Sequence, residues 1–197
     1  MITNVVDWIE SPPDYSAKIG VAGGIDNELR WNEASDSLNW KYGYSLTTSR
    51  YFIYYGDCDS CPFEYEPDWT PEPYGWTLEQ IYDMASGYWS FALPQIYRKD
   101  NQHAEQWYAL SLYMYLQYYE PIGFMGSLTQ LSACQENGGC SSGNPDAIDN
   151  APDEGWLQLW GEISSDPRTS QSRHGIPFEL SLSADISWNH WKVSVTR

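Results

Sequence analysis

A short, apolar, glycine-rich segment reads Lys18-Ile19-Gly20-Val21-Ala22-Gly23-Gly24-Ile25 and runs directly into Asp26-Asn27-Glu28. Short apolar runs of this kind are typical of strands that are buried on both faces of a parallel sheet. The segment therefore predicts a parallel strand with two acids at its carboxyl end.

The rest of the chain alternates between segments of strand and helix character. Further strands are predicted over residues 50–55, 89–96, 122–128 and 184–188. Helices are predicted over residues 2–9 and 35–42, and from starts at Thr77, Asn101 and Pro152. Thr77-Leu78-Glu79-Gln80 is a capping box, and proline is favoured in the first turn of a helix. The pattern is that of an α/β protein.

Strands that alternate with helices predict a parallel sheet with right-handed crossovers, either doubly wound or closed into a (β/α) barrel. No glycine-rich motif for binding a dinucleotide and no phosphate-binding loop lies between a predicted strand and a predicted helix, so no cofactor is predicted. The opening helix has no strand before it, which favours one incomplete TIM-barrel-type domain over residues 1–197 that holds strands four to eight of eight. On this hypothesis the chain starts at an internal methionine of a longer, N-terminally truncated barrel. An open five-stranded sheet is the alternative.

The charge of the chain excludes two classes of partner. With 27 acids against 10 bases the net charge is -17, which repels nucleic acid and anionic lipid. No apolar run approaches the roughly 20 residues of a membrane span.

The first ten residues lack the pattern of a signal peptide, yet 11 tryptophans and 16 tyrosines resemble the composition of an exported protein. We expect secretion of a longer parent, or a cytoplasmic location if the chain is complete; no oligomeric state is indicated.

The four cysteines fall in two close pairs, Cys58 with Cys61 and Cys134 with Cys140. Two local disulfides are favoured because both pairs lie in polar, turn-rich segments. A four-thiolate zinc site and unpaired thiols are the alternatives. The three histidines have no metal-binding spacing, and no metal site is predicted.

Three acids follow predicted strands and are candidates for chemistry. Asp26 and Glu28 point the same way from an extended strand, and Asp57 follows the next strand. In a parallel barrel the carboxyl ends of the strands form the active site. Paired carboxyls suit glycoside hydrolysis, in which one group donates a proton and another supports the anomeric centre. We assign Glu28 as the acid and Asp26 as its partner; chance placement in an acid-rich chain is the alternative.

Aromatic and polar residues after the strands are the candidate substrate-binding groups, because aromatic faces and a few placed polar groups are typical of ligand clefts. These candidates are Trp31, Tyr55, Asp57, Tyr97, Gln130 and Trp188. Trp107 and Trp160 recur at helical spacing and are assigned to the core instead.

Gly24-Ile25-Asp26-Asn27-Glu28 resembles the end of the fourth strand in two groups of glycoside hydrolases with (β/α)8 barrels, the chitinase-type enzymes and the lysozyme-type muramidases. Both groups end this strand in Asp-x-Glu with the Glu as proton donor, which implies Glu28 as donor and Asp26 as its supporting carboxylate. Where the chitinase group has two further acids, this chain has Gly24 and Val21.

More of the chain, from about Trp8 to Trp188, is similar to uncharacterised bacterial glycoside-hydrolase-like barrel proteins. The matching segments are residues 19–31, 74–89, 93–97, 127–134 and 149–168. The sequence therefore predicts a glycoside hydrolase that acts on a cell-wall or extracellular polysaccharide. The alternatives are a non-catalytic carbohydrate-binding module on the same barrel, and a truncated product without a function of its own.

Overall fold

The computed structural model describes residues 21–66, 68–69, 75–87, 90–140, 148–170 and 180–187. In this part of the chain five short strands alternate with helices. The strands are β1 Gly23–Ile25, β2 Phe52–Tyr54, β3 Ser90–Ala92, β4 Gly126–Thr129 and β5 Leu182–Asp185. The helices are α1 Ala34–Thr47, α2 Leu78–Ala85, α3 Gln102–Tyr118, α4 Leu131–Glu136 and α5 Pro152–Ser165.

The strands form two small parallel sheets, so the prediction of a TIM-type barrel holding strands four to eight is wrong. One sheet has the order β1-β2-β3, and the other is the pair β4-β5. Between β3 and β4 the ladder is reduced to two isolated parallel bridges, Ala92 with Phe124 and Gln95 with Leu128. Pro94 lies between these bridges and has no N–H to donate to a ladder. The α/β class and the parallel strand direction agree with the sequence-based prediction.

The helices that have strong local signals begin where they were predicted. The Thr77 hydroxyl accepts from the Gln80 N–H at 3.2 Å, and the Gln80 side chain accepts from the Thr77 N–H at 2.9 Å. The capping box at the start of α2 is thereby confirmed. Helix α4, in contrast, was not predicted. The predicted opening helix over residues 2–9 lies outside the described residues.

Aromatic side chains dominate the core between the three-stranded sheet and the helices. Trp107 of α3 is fully buried, and its ring contacts those of Tyr54 and Phe124 edge-on at 6.0 and 6.1 Å. Trp107 therefore has the predicted core role. Trp160 does not have the predicted core role, since it is 37% exposed and stacks on Trp156 at the surface of α5.

No helix in the described part of the chain is long and apolar enough to cross a bilayer.

Candidate functional site

The parallel pairing of β1 and β2 brings the segments that follow them side by side. The Tyr55 N–H donates to the Ile25 carbonyl at 3.1 Å, and the Asp57 N–H donates to the Asn27 carbonyl at 3.2 Å. Gly56 makes this approach possible, because a Cβ at this position would fall on the Asn27 carbonyl oxygen. The pairing thus places Asp57 beside the turn that carries the predicted acids.

Gln95, which follows β3, joins the two predicted catalytic carboxyls. Its side-chain nitrogen lies 3.0 Å from Asp26 Oδ1 and 2.8 Å from Glu28 Oε1. The same nitrogen lies 3.3 Å from the Tyr55 carbonyl oxygen. Only 3% of Gln95 is exposed, and its backbone N–H donates to the Gly56 carbonyl at 3.2 Å. The buried Gln95 amide therefore holds the carboxyls of Asp26 and Glu28 close to each other.

Two further hydrogen bonds fix the acids. The Glu28 N–H donates to Asn32 Oδ1 at 2.8 Å, within a turn that leads into α1. The Leu29 N–H donates to Asp57 Oδ1 at 3.0 Å. The charge of Glu28 acts on the Asp57 carboxyl, and both side chains line the same cleft. Asp26, Glu28 and Asp57 consequently form one cluster of carboxyls.

Burial and mutual repulsion favour protonation in this cluster. Burial, followed by the charge of Glu28, raises the pKa of Asp26, while the hydrogen bond from Gln95 opposes the shift. Burial is also the main cause that raises the pKa of Asp57 to about 8; the charges of Glu28 and Asp59 add to it, and the Leu29 N–H opposes it. These directions are those expected for carboxyls that share a site with like charges.

The cluster borders an open cleft with a volume of about 650 Å³. The cleft is lined by Glu28, Arg30, Trp31, Asp57, Cys58, Asp59, Gln95, Tyr97, Arg98, His103, Gln130 and Ile148. Carboxyls, amides, cationic groups and aromatic rings thus share one concave surface. Such a mixture can orient a polar ligand that also has an apolar face.

Tyr97 and His103 present neutral hydrogen-bonding groups to this cleft. Burial and the charges of nearby acids, Asp26 and Glu28 foremost, raise the pKa of Tyr97, which keeps its hydroxyl protonated. Burial and the positive charge of Arg98 lower the pKa of His103 to about 4. His103 Nδ1 accepts from the Tyr97 N–H at 3.1 Å, so the neutral ring carries its proton on Nε2.

The predicted substrate-binding residues are only partly brought together. Trp31, Asp57, Tyr97 and Gln130 line the cleft. Tyr55 contributes its carbonyl oxygen to Gln95, while its ring lies over Gly24, where an added Cβ would come within 2.5 Å of it. Asp26 is connected to the cleft through Gln95. Trp188 lies outside the described residues.

Sequence reasoning missed Gln95, His103 and Arg98. Gln95 was not predicted because it lies within the predicted strand over residues 89–96, in the otherwise apolar run Leu93-Pro94-Gln95-Ile96. A lone amide in such a run, next to Pro94, was the available signal. His103 and Arg98 lie around the start of α3 and carried no comparable signal.

The cysteines form the two predicted pairs at disulfide-bonding distance. The Cα atoms are 5.3 Å apart for Cys58 and Cys61, and 5.4 Å apart for Cys134 and Cys140. This pairing excludes the unpaired-thiol and four-thiolate alternatives. Within the described ranges, no group of three or more potential metal ligands comes together. Because Cys58 directly follows Asp57, the first pair closes the loop next to the carboxyl cluster.

Comparisons of the chain with protein-family models, with curated proteins and with solved structures found no match.

Proposed function

We propose that the cleft binds a glycan and hydrolyses an O-glycosidic bond with Asp26 and Glu28. The observation that carries the proposal is the bridge from the Gln95 amide to both carboxyls, at the edge of a cleft with exposed aromatic and polar walls. Glycoside hydrolysis requires two carboxyls that are held at a defined separation. The bridge supplies that constraint.

The separation of the two carboxyls supports a retaining mechanism. Both oxygens bind one nitrogen, at 3.0 and 2.8 Å, so they cannot be further apart than the sum of these distances. Retaining enzymes hold their carboxyls about 5–5.5 Å apart, whereas inverting enzymes leave about 6.5–9.5 Å for a water molecule. The Gln95 bridge excludes the longer separation for these two oxygens.

The position of the two carboxyls supports Glu28 as the proton donor, because Glu28 lines the cleft and Asp26 is connected to it through Gln95. Glu28 would give its proton to the leaving oxygen as the bond from that oxygen to the anomeric carbon breaks, and Asp26 would support the positive charge that develops at that carbon. Water would then add to the carbon and return a proton to Glu28.

The walls of the cleft suit a sugar that is not strongly anionic. Trp31 is 78% exposed and offers an aromatic face for a pyranose ring. The Tyr97 hydroxyl, His103 Nε2 and the Gln130 amide are neutral donors at the same cleft. The net charge of -17 disfavours polyanions. A neutral cell-wall or extracellular polysaccharide therefore fits best, and the two cysteine pairs favour an oxidising, extracellular location.

The first test compares Glu28→Gln with Glu120→Gln. Glu120 is exposed beyond the end of α3 and does not line the cleft, so E120Q is a matched change of one charge. Reducing-sugar release from a panel of peptidoglycan, chitin and plant polysaccharides is measured for both variants and the parent. We expect E28Q to lose about 100-fold or more in kcat, the contribution of a general acid, and E120Q to match the parent.

A non-catalytic carbohydrate-binding module is the second candidate. It is favoured by the hydrogen bonds with which Gln95 already occupies one oxygen of each carboxyl. A module of this kind would bind a polysaccharide of the panel without releasing sugar, and E28Q would leave that binding unchanged. Absence of both binding and release for every member of the panel would contradict both candidates.

A further inference from the structure

A second cavity shares a wall with the cleft. It has a volume of about 590 Å³ and lies between the loop after Cys58 and the first turns of α3. Asp59, Arg98 and His103 line both spaces, whereas Glu28 lines the cleft alone. The second cavity is therefore a neighbouring space outside the carboxyl cluster.

Carboxylates dominate the charge of the second cavity. Asp59, Glu64 and Glu66 line it. The cation among its described lining residues is Arg98, which pairs with Asp100 at 2.5 Å. Glu64 and Glu66 form no ion pair with any described residue. Their oxygens are therefore available to a positively charged ligand.

A buried amide in the wall of this cavity offers a further acceptor. Gln106 lines the cavity although only 7% of the residue is exposed. Its side-chain nitrogen donates to the Cys61 carbonyl at 3.0 Å, which leaves its oxygen as an acceptor. That oxygen receives no hydrogen bond from the described residues, and it is not sealed off from solvent. A donor on a ligand in the cavity can therefore bind to Gln106 Oε1.

Aromatic rings complete the lining and indicate which kind of cation fits. Phe63, which is 47% exposed, and the partly buried Trp69 both line the cavity. Aromatic faces attract ammonium groups and also pack against the apolar face of a sugar ring. In the described ranges no three potential metal ligands come together, so an organic cation fits this lining better than a metal ion.

We propose that the second cavity binds an amino sugar in its ammonium form. The carboxylates of Glu64 and Glu66 pair with the ammonium group, Gln106 Oε1 accepts from a donor of the ligand, and Phe63 packs against it. The site lies beside the cleft but does not depend on hydrolysis there.

The test uses two sugars that differ at one nitrogen. Glucosamine carries an ammonium group where N-acetylglucosamine carries a neutral acetamido group. The ¹⁵N-labelled protein is titrated with each sugar while the amine is protonated, and NMR shift changes give both the Kd and the place of binding. We expect saturable changes with glucosamine at the amides of residues 59–66 and at the Gln106 side chain. N-acetylglucosamine should bind about fivefold or more weakly, because it lacks the charge-assisted hydrogen bonds.

Variants separate this site from the general attraction of a chain with a net charge of -17 for cations. The double variant E64Q/E66Q removes two charges of the cavity and keeps the size of the side chains. The control E33Q/D36N removes two exposed charges at the start of α1, outside both cavities. We expect the Kd for glucosamine to rise about fivefold in E64Q/E66Q and to stay within about twofold in E33Q/D36N, since salt screens distant charges.

Three results would overturn the proposal: equal Kd values for the two sugars, equal effects of the two double variants, or shift changes that are absent or scattered over the surface. Should a double variant fail to fold, the sugar pair and the place of binding in the parent decide. A parent without hydrolase activity refutes only the proposed function, because the titration requires no turnover.

Discussion

At the residue scale, the amide of Gln95 determines how the acids of the cluster are arranged. Its nitrogen bonds to Asp26 and Glu28, and its backbone N–H bonds to the segment that leads to Asp57. Because Gln95 is buried, no water can replace its side chain without a rearrangement of the loops. The amide therefore neutralises part of the repulsion between the carboxylates, and this contribution depends on their ionisation.

We expect Gln95→Leu to destabilise the protein more at neutral pH than under acidic conditions. Loss of hydrogen bonds to charged groups should cost about 1–3 kcal/mol in the free energy of unfolding. The cost should shrink under acidic conditions, because Asp26, whose pKa is raised by burial and by the charge of Glu28, is then protonated and no longer repels Glu28. Urea unfolding of Q95L and the parent at both pH values measures the difference.

Gln106→Leu provides the control for this prediction. Gln106 is also a buried amide, but its side chain donates to the carbonyl of Cys61 at 3.0 Å, and a carbonyl does not titrate. The cost of Q106L should therefore be similar at the two pH values. A pH-independent cost for Q95L as well would mean that Gln95 acts only through packing.

The contrast between Gln95 and the acids explains how much of the site could be predicted from the sequence. Asp26 and Glu28 were found because they directly follow a strand with a strong local signal. Gln95 is 69 and 67 residues away from these two partners. Its role depends on the pairing of three strands, which no local pattern encodes.

At the element scale, the close approach of the segments after β1 and β2 depends on one glycine. A side chain on Gly56 would collide with the Asn27 carbonyl oxygen and with the ring of Tyr54. Both neighbours lie in the segments that hold Asp57 beside Glu28. The glycine is thus required for the geometry of the cluster as well as for packing.

We expect Gly56→Ala to destabilise the protein by about 1–3 kcal/mol, the usual cost of overpacking. Gly43→Ala is the matched control, since Gly43 is exposed within α1 and has no neighbouring atom within 4 Å of an added Cβ. There the same substitution should stabilise the protein by about 0.5–1 kcal/mol, because alanine favours helix. Thermal unfolding of both variants measures whether each substitution lowers or raises the stability. An unchanged stability of G56A would show that the segments after β1 and β2 are not closely packed.

The elements were predictable where the signal is local and were not where it depends on distant pairing. The start of α2 was found through its capping box, whose partners are three residues apart. The predicted strand over residues 89–96 was too long, since β3 ends at Ala92 and Pro94 limits the pairing beyond it. Helix α4 has six residues and no side-chain cap at Gln130, so no start signal was present.

At the scale of the whole molecule, the number of sheets was the least predictable property. Alternating strands and helices determine the α/β class and the parallel direction, and both agree with the structure. Whether the strands close into a barrel or separate into smaller sheets depends on strand length and on the continuity of the ladder. In the described residues the strands have three or four residues each, and the ladder is interrupted between β3 and β4.

The net charge, in contrast, follows directly from composition and leads to a prediction for the whole chain. With 27 acids and 10 bases, most acids have no base with which to pair, and the folded state concentrates their repulsion. Salt shortens the range of this repulsion, from about 10 Å at 0.1 M to about 3 Å at 1 M. It also weakens ion pairs such as Arg30–Asp59, but exposed pairs contribute little to stability.

We therefore expect the Tm at neutral pH to rise by several degrees as NaCl increases from about 0.05 to 0.5 M, because each kcal/mol corresponds to about 2–4 °C in a chain of this size. The same titration near the pI of about 4.2 is the control, since the net charge is then small and screening has little to act on. Differential scanning calorimetry at the two pH values separates screening from other effects of salt. An equal rise at both would assign the effect to preferential exclusion of the salt, and a fall at neutral pH would mean that ion pairs outweigh the repulsion among the acids.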